Sequence, residues 1–130
     1  ELFDMLPFGN DTVVMTLTGA QLETLLEQQF RGDGNNILQP SASLRYRWTD
    51  TTPGDHVDPA EVLVDGAPLD LAGTYRVAAN GYIGEGGAEF YELADGTERV
   101  PGPPLLDVVE AYLRAASPYT PPPLDRINGF

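Results

Sequence analysis

Residues 12–30, TVVMTLTGAQLETLLEQQF, join a predicted strand directly to a predicted helix. The β-branched run from Thr12 to Thr18 is typical of a strand. Thr18 is followed three residues later by Gln21, which is the pattern of a capping box at a helix start. Apolar residues then recur at helical spacing, at Leu22, Leu25, Leu26 and Phe30. The predicted helix therefore has one apolar face to bury.

The remaining elements follow from shorter patterns. LRYRW (44–48) alternates as a half-buried strand does, and VLVDGAPLD (62–70) predicts a hairpin around an Asp-Gly turn. GTYRVAANGYI (73–83) predicts a strand, PLLDVVEAYLRAA (104–116) a helix, and the tail 118–130 no regular structure. Turn chemistry is expected at RGDGNN (31–36) and across 49–61. This order predicts an α+β fold, a mixed β-sheet packed against helices.

The composition limits the function. The 130 residues suit one domain, and the net charge is −13, from 20 acidic residues against seven arginines and no lysine. Such a surface repels nucleic acids and anionic membranes, so neither is an expected partner. No run is long enough to span a bilayer, and we expect no membrane insertion. The chain has no cysteine, which excludes disulfides and thiolate metal sites.

Few residues are candidates for catalysis. His56 is the sole histidine and lies in a Pro-Gly-Asp loop, where we expect it to be exposed. A two-metal hydrolase needs several converging ligands, which one histidine cannot supply. Asp50, Asp55, Asp58 and Glu61 form an acidic stretch that could bind a hard cation, but a solvated turn is favoured because the calcium-loop spacing is absent. We therefore predict no catalytic residue and no metal ligand in this chain.

Two aromatic residues lie at the ends of apolar segments. Phe8 is in a Pro-Phe-Gly turn, and Tyr82 follows Asn80-Gly81. Loops on a rigid sheet are where binding side chains concentrate. Position alone nevertheless favours core aromatics at strand ends, and the two interpretations remain open on this evidence.

The motifs of this chain, taken in order, resemble those of a known protein family. LFDMLPFGNDTVVMTLTGAQLETLLEQ, LQPSASLRYRW, VLVDGAPLDLAGTYRVAANGYIGEGGAEF and the terminal DRI follow one another along the chain. In that order they closely resemble the C-terminal domain of the 5′-nucleotidase family, which includes UDP-sugar hydrolases and cyclic-nucleotide phosphodiesterases. The most specific segments are Leu-Pro-Phe-Gly-Asn, the Thr-Gly-x-x-Leu helix start and the Gly-Gly-x-x-Phe loop.

The resemblance implies that hydrolysis and nucleoside binding belong to two different domains. An N-terminal metallophosphoesterase domain with two divalent metal ions would hydrolyse the phosphate ester, and the C-terminal domain would bind the nucleoside between two aromatic rings. Matched by motif, those rings are Phe8 and Tyr82, with Asn10 as a polar residue beside the base. Gly86 and Gly87 match the glycine pair of the family's Gly-Gly-Asp-Gly-Phe loop and complete the predicted substrate-binding residues.

One position departs from that loop. The family's aspartate, which hydrogen-bonds the ribose hydroxyls, is Ala88 here. Glu85 or Glu89 could substitute for it, although a side chain at an adjacent position points elsewhere. The alternative hypothesis is a structural or dimerisation module that keeps the fold and has lost nucleoside binding.

The resemblance also sets expectations about the parent protein. The domain, residues 1–130, is expected to be N-terminally truncated, lacking a segment that precedes LFDMLPFGN in the family. A sheet edge would then be exposed and could pair with another copy in a homodimer. The parent is expected to be an extracellular or periplasmic phosphoric ester hydrolase, and this chain alone to be inactive. The expected partners are a nucleotide or nucleoside and the metal-bearing N-terminal domain.

Overall fold

A computed structural model describes residues 2–31, 36–50 and 54–129. The helices are α1 (Leu2–Met5), α2 (Gly19–Glu27), α3 (Gly81–Gly84), α4 (Tyr91–Ala94) and α5 (Leu105–Ala115). The strands are β1 (Asp11–Thr18), β2 (Leu44–Trp48), β3 (Leu63–Val64), β4 (Ala67–Pro68), β5 (Thr74–Asn80), β6 (Thr97–Pro104) and β7 (Ile127–Gly129). Short 3-10 turns occupy Gln28–Phe30, Pro59–Glu61 and Gly87–Glu89.

The strands form two sheets. One is antiparallel, with the order β5-β1-β6, and the other has the order β4-β3-β2-β7. In the second sheet β2 and β3 are antiparallel, whereas β2 and β7 are parallel. The predicted α+β class is confirmed, with the mixed sheet as one of two sheets. Among the described residues, no helix is both long and apolar enough to cross a membrane.

The predicted junction between β1 and α2 is confirmed. Gln21 N donates to Thr18 Oγ1 at 3.1 Å, and Thr18 N donates to Gln21 Oε1 at 3.0 Å, which completes the capping box. Leu17 and Leu22, on either side of the cap, are both buried. Gly19 is required here, because a Cβ at this position would lie 2.0 Å from the Asp70 carbonyl oxygen.

The core lies between α2 and the sheets. Alternate residues of β1 are buried against the leucines of α2, and Tyr46 of β2 and Phe90 close the cluster. Gln29 is a buried polar residue whose side-chain oxygen and nitrogen both have hydrogen-bond partners: Oε1 accepts from Leu38 N and Tyr46 Oη, and Nε2 donates to Leu26 O, each at 2.8 Å. Burial raises the pKa of the Tyr46 hydroxyl, and the bond to Gln29 partly offsets that effect.

Three strands differ from the sequence prediction, and α1 and α4 are helices that it did not include. The strand predicted over 73–83 ends at Asn80, because the Asn80 side chain accepts from Ile83 N and starts α3. Strand β6 was not predicted; it contains Pro101, Pro103 and Pro104, and proline is unfavourable in the interior of a sheet. It is an edge strand, where the missing N–H groups cost little.

The third difference is β7, because the tail was predicted to be irregular. It pairs in parallel with β2, and Tyr46 N donates to Arg126 O at 3.0 Å. The predicted hairpin is confirmed as β3 and β4, with Asp65 and Gly66 at positive φ. Residues 32–35 and 51–53, which belong to two predicted turns, lie outside the described residues.

An acidic group on α2 yields a prediction about pH. Burial, and then the charge of Glu27, raise the pKa of Glu23 above its ordinary value of 4.5. The folded state therefore binds this proton more tightly than the unfolded state, and the group's contribution to stability is lost as pH rises from 4.5 through the raised pKa. Because Glu23 is partly exposed and solvent screens its charge, the effect is small: we expect Glu23→Gln to stabilise the domain at pH 7 by at most about 0.5 kcal/mol.

The measurement is urea unfolding of both proteins between pH 4 and pH 7. The stability difference between the variant and the original chain should grow as pH rises. A constant difference across this range would contradict the assignment.

Candidate functional site

The two predicted ring positions lie at one end of the antiparallel sheet. Strands β1 and β5 pair antiparallel, with Thr12 opposite Asn80 and Thr18 opposite Thr74. The start of β1 and the end of β5 therefore lie side by side. Phe8 comes three residues before β1, and Tyr82 comes two residues after β5. The register alone brings both residues to the same edge of the fold.

Phe8 and Asn10 belong to the segment that leads from α1 into β1. The Phe8 side chain is 66% exposed, so it is not the core aromatic that position alone favoured. Asn10 is half-buried, and its carbonyl oxygen accepts from Leu105 N at 2.9 Å, which ties the segment to the start of α5. The Asn10 side-chain amide has no hydrogen-bond partner among the described residues, so its donors and acceptor are available to a ligand.

The Tyr82 ring lies against the backbone of Gly87. It is 59% exposed. A Cβ at Gly87 would lie 2.7 Å from Tyr82 Cε2, 2.8 Å from Cζ and 2.5 Å from the Tyr82 carbonyl oxygen. The ring and the Gly87 backbone are thus in close contact, and any larger residue would displace the ring. No ring contact joins Phe8 to Tyr82 among the described residues, whose ring pairs lie elsewhere.

The loop after Tyr82 has an unusual backbone. Gly86 adopts a left-handed conformation at φ 86°, as glycine readily does. Ala88 and Glu89 also have positive φ, at 53° and 69°, although neither is glycine. Such residues cost of order 1 kcal/mol each and cluster at binding sites. Glu85 is paired with Arg99 at 2.8 Å, whereas Glu89 is exposed and has no partner among the described residues.

Arg99 is a positioning residue that the sequence analysis missed. From β6 its guanidinium donates to Leu93 O at 2.6 Å and to Gly84 O at 2.8 Å. It thereby caps the ends of both α3 and α4 and fixes the loop between them, which carries Gly86 and Gly87. No local sequence signal marks this residue, because its partners are backbone carbonyls from other elements.

His56 is not the exposed loop histidine that was predicted. Its side chain is 12% exposed, and Nδ1 lies 3.0 Å from Glu27 Oε2. The Glu27 carboxylate also accepts from the backbone N–H groups of His56 and Val57. The imidazole stacks on Phe30 with ring centroids 4.6 Å apart. The prediction was wrong because the carboxylate of Glu27, 29 residues away in the sequence, binds this loop at the end of α2.

The acidic stretch does not form a metal site in the part of the chain that the structure describes. No group of three or more His, Asp or Glu side chains there could hold a metal ion. Asp58 instead caps a 3-10 turn by accepting from Ala60 N at 2.8 Å, and Glu61 lies 3.6 Å from Arg47. These carboxylates have local structural roles.

The chain is similar to several known proteins. It is 36% identical over 86 residues to the "Cell wall protein Lmo0130" of Listeria monocytogenes, a match covering 65% of this chain and 11% of that protein. It is 34% identical over 95 residues to the "Trifunctional nucleotide phosphoesterase protein YfkN" of Bacillus subtilis, covering 67% of this chain and 6% of that protein. The chain thus spans only a small part of these relatives.

A solved structure extends the similarity to the whole fold. The 5′-nucleotidase precursor from Thermus thermophilus superposes with a TM-score of 0.86 at 33% identity, covering 99% of this chain and 27% of that one. Residues 1–95 match the family described as the 5′-nucleotidase C-terminal domain. This chain therefore belongs to the 5′-nucleotidase C-terminal domain family.

Proposed function

We propose that this domain binds the nucleoside part of a nucleotide substrate, with the base stacked between Phe8 and Tyr82. The observation that carries the proposal is the pair of exposed rings at one sheet end, which we call the aromatic pair. Exposed apolar side chains that lie together beside polar groups are typical of ligand-binding surfaces. Stacking contributes about 1–3 kcal/mol per base and tolerates different bases.

The surrounding groups supply polar contacts. The unpaired Asn10 amide can both donate to and accept from the edge of a base. Gly86 and Gly87 allow the sugar to approach the loop backbone closely. Glu89 follows this glycine pair by two residues and has no partner among the described residues, so its carboxylate can accept a hydrogen bond from a sugar hydroxyl, whereas the carboxylate of Glu85 is paired with Arg99.

Hydrolysis would take place on another domain of the parent protein. We propose that the parent is a phosphoric ester hydrolase whose N-terminal domain holds two divalent metal ions, which activate the attacking water. The names of the Bacillus and Thermus relatives support this substrate class. The Listeria relative is named as a cell wall protein, which supports a location at the cell envelope or outside the cell. This chain alone is expected to be inactive.

A structural module without a ligand is the competing function, and Ala88 is the observation in its favour. Without the aspartate of the family loop, the domain lacks one sugar contact. Against this function stands the position of both exposed rings at the same end of the sheet, next to the unpaired Asn10 amide and the glycine loop.

The first prediction concerns the aromatic pair. Phe8→Ala and Tyr82→Ala should each weaken adenosine binding by about 1–3 kcal/mol, roughly 5- to 150-fold, because each removes one stacking face. The measurement is an NMR titration of the 130-residue chain with adenosine. Tyr112→Ala is the matched control, since Tyr112 is 60% exposed and lies on α5, and its affinity should be unchanged.

Two results would contradict the aromatic pair. One is the absence of any adenosine-dependent shift near Phe8 or Tyr82 at millimolar ligand. The other is equal loss of affinity in the Tyr112 control, which would point to a general effect on the fold.

The second prediction separates the two functions. Ala88→Asp should tighten adenosine binding by about 1.5–3 kcal/mol, the range of a hydrogen bond to a charged group. Aspartate tolerates the left-handed backbone at this position better than alanine, so the fold should not be strained. Ala88→Asn shares that tolerance without the charge and serves as the control. Unchanged affinity in the folded Asp variant would support the structural module.

A further inference from the structure

The loop of residues 85–90 joins α3 to α4 and supports the Tyr82 ring through Gly87. Three of its residues have a left-handed backbone: Gly86 at φ 86°, Ala88 at φ 53° and Glu89 at φ 69°. Glycine adopts this conformation readily, whereas Ala88 and Glu89 adopt it at a cost in free energy. Such a loop relaxes to ordinary backbone angles unless other contacts hold it.

Arg99 connects the two ends of this loop from β6. Its Nη2 donates to Gly84 O, just before the loop, at 2.8 Å, and its Nη1 donates to Leu93 O, shortly after it, at 2.6 Å. Gly84 and Leu93 are both buried, and Nη1 also lies 3.7 Å from the sulfur of the fully buried Met15. The bridge between the two carbonyls therefore lies inside the described fold and involves no exposed surface.

The bridge depends on the shape of the guanidinium group. This group is planar and rigid, so its two terminal nitrogens hold the two carbonyl oxygens at a fixed separation. A lysine ammonium is a single compact charge and cannot make both contacts with the same geometry. Nη2 also pairs with Glu85, but the Glu85 side chain is 77% exposed, and ion pairs so open to solvent contribute little. The two carbonyl bonds, and not the ion pair, therefore fix the loop.

Gly87 transmits the position of the loop to the Tyr82 ring. The ring and the Gly87 backbone are in such close contact that a Cβ has no room between them. Gly87 directly precedes the two strained residues, Ala88 and Glu89. Relaxation of their backbone would shift Gly87 and remove the support of the ring.

We propose that Arg99 is a positioning residue for ligand binding. By bridging Gly84 and Leu93 it holds the strained loop and so keeps Gly87 against the Tyr82 ring. The strain is then already present before a ligand arrives, and the ligand does not have to impose it. The effect on affinity rests on the proposed function, whereas the hold on the loop does not.

NMR on the ligand-free 130-residue chain tests the hold on the loop. At positive φ the amide and Hα protons of one residue lie close together, so Ala88 and Glu89 should each give a strong intraresidue nuclear Overhauser effect. Arg99→Met removes both carbonyl bonds and keeps an unbranched apolar side chain. It should weaken both signals and change the chemical shift of the Gly87 Hα protons. Arg99→Lys keeps the charge without the planar fork, and should resemble Arg99→Met more than the original chain.

Adenosine titration of the same variants tests the effect on binding. Arg99→Met should weaken binding by about 5- to 30-fold, because the strain at each of the two residues corresponds to a factor of about five. Glu85→Gln is the matched control, since it removes the ion pair and leaves both carbonyl bonds of Arg99 in place. Its affinity and its loop signals should be those of the original chain.

Three results would overturn the proposal. The first is weak intraresidue signals at Ala88 and Glu89 in the original chain, which requires no variant. The second is unchanged signals in a folded Arg99→Met or Arg99→Lys chain, because a residue that only stabilises the fold lowers the unfolding temperature without altering them. The third is unchanged adenosine affinity in a variant that has lost the signals.

Failure of the proposed function gives a different result. An original chain that binds no adenosine at millimolar ligand would contradict nucleoside binding. The signals of Ala88 and Glu89 in the ligand-free chain and in its Arg99 variants would still decide whether Arg99 holds the loop.

Discussion

The pairing of β1 with β5 is the constraint on which the rest of the molecule depends. Its register places Thr12 opposite Asn80, and so brings the segment before β1 next to the helix after β5. The same strand, β1, buries alternate side chains against α2 and carries β6 on its other side. A shift of one residue would turn the buried face of β1 to solvent and separate Phe8 from Tyr82. The register that forms the sheet therefore also sets the positions of the two rings.

The two rings of the aromatic pair are supported unequally. Tyr82 rests on Gly87, and Arg99 holds the ends of both helices around that glycine. The Phe8 ring is exposed. Its segment is tied to the fold by the hydrogen bond from Leu105 N to the Asn10 carbonyl oxygen. Under the proposed function, a nucleoside would meet one ring packed against backbone and one ring with fewer contacts to the rest of the fold. Fixing the less supported ring would cost binding free energy, so the polar groups of Asn10 and the loop would be needed for affinity.

The sequence predicted the structural features that depend on interactions within a few residues. The capping box at Thr18, the Asp-Gly turn of the hairpin and the helical spacing in α5 act within a few residues, and all three are confirmed. Prediction failed where residues far apart in the sequence determine the local structure. Glu27 holds His56 from another element, and an edge position in the sheet makes a proline-rich strand acceptable. The candidate site shows the same division: motifs indicated Phe8, Tyr82 and the glycines, whereas Arg99 emerged only from the structure.

Intermolecular nuclear Overhauser effects between adenosine and the 130-residue chain test the central claim most directly. Contacts are expected from the adenine H2 and H8 protons to the ring protons of both Phe8 and Tyr82. Contacts to only other residues, or none to either ring when adenosine saturates the chain, would contradict it.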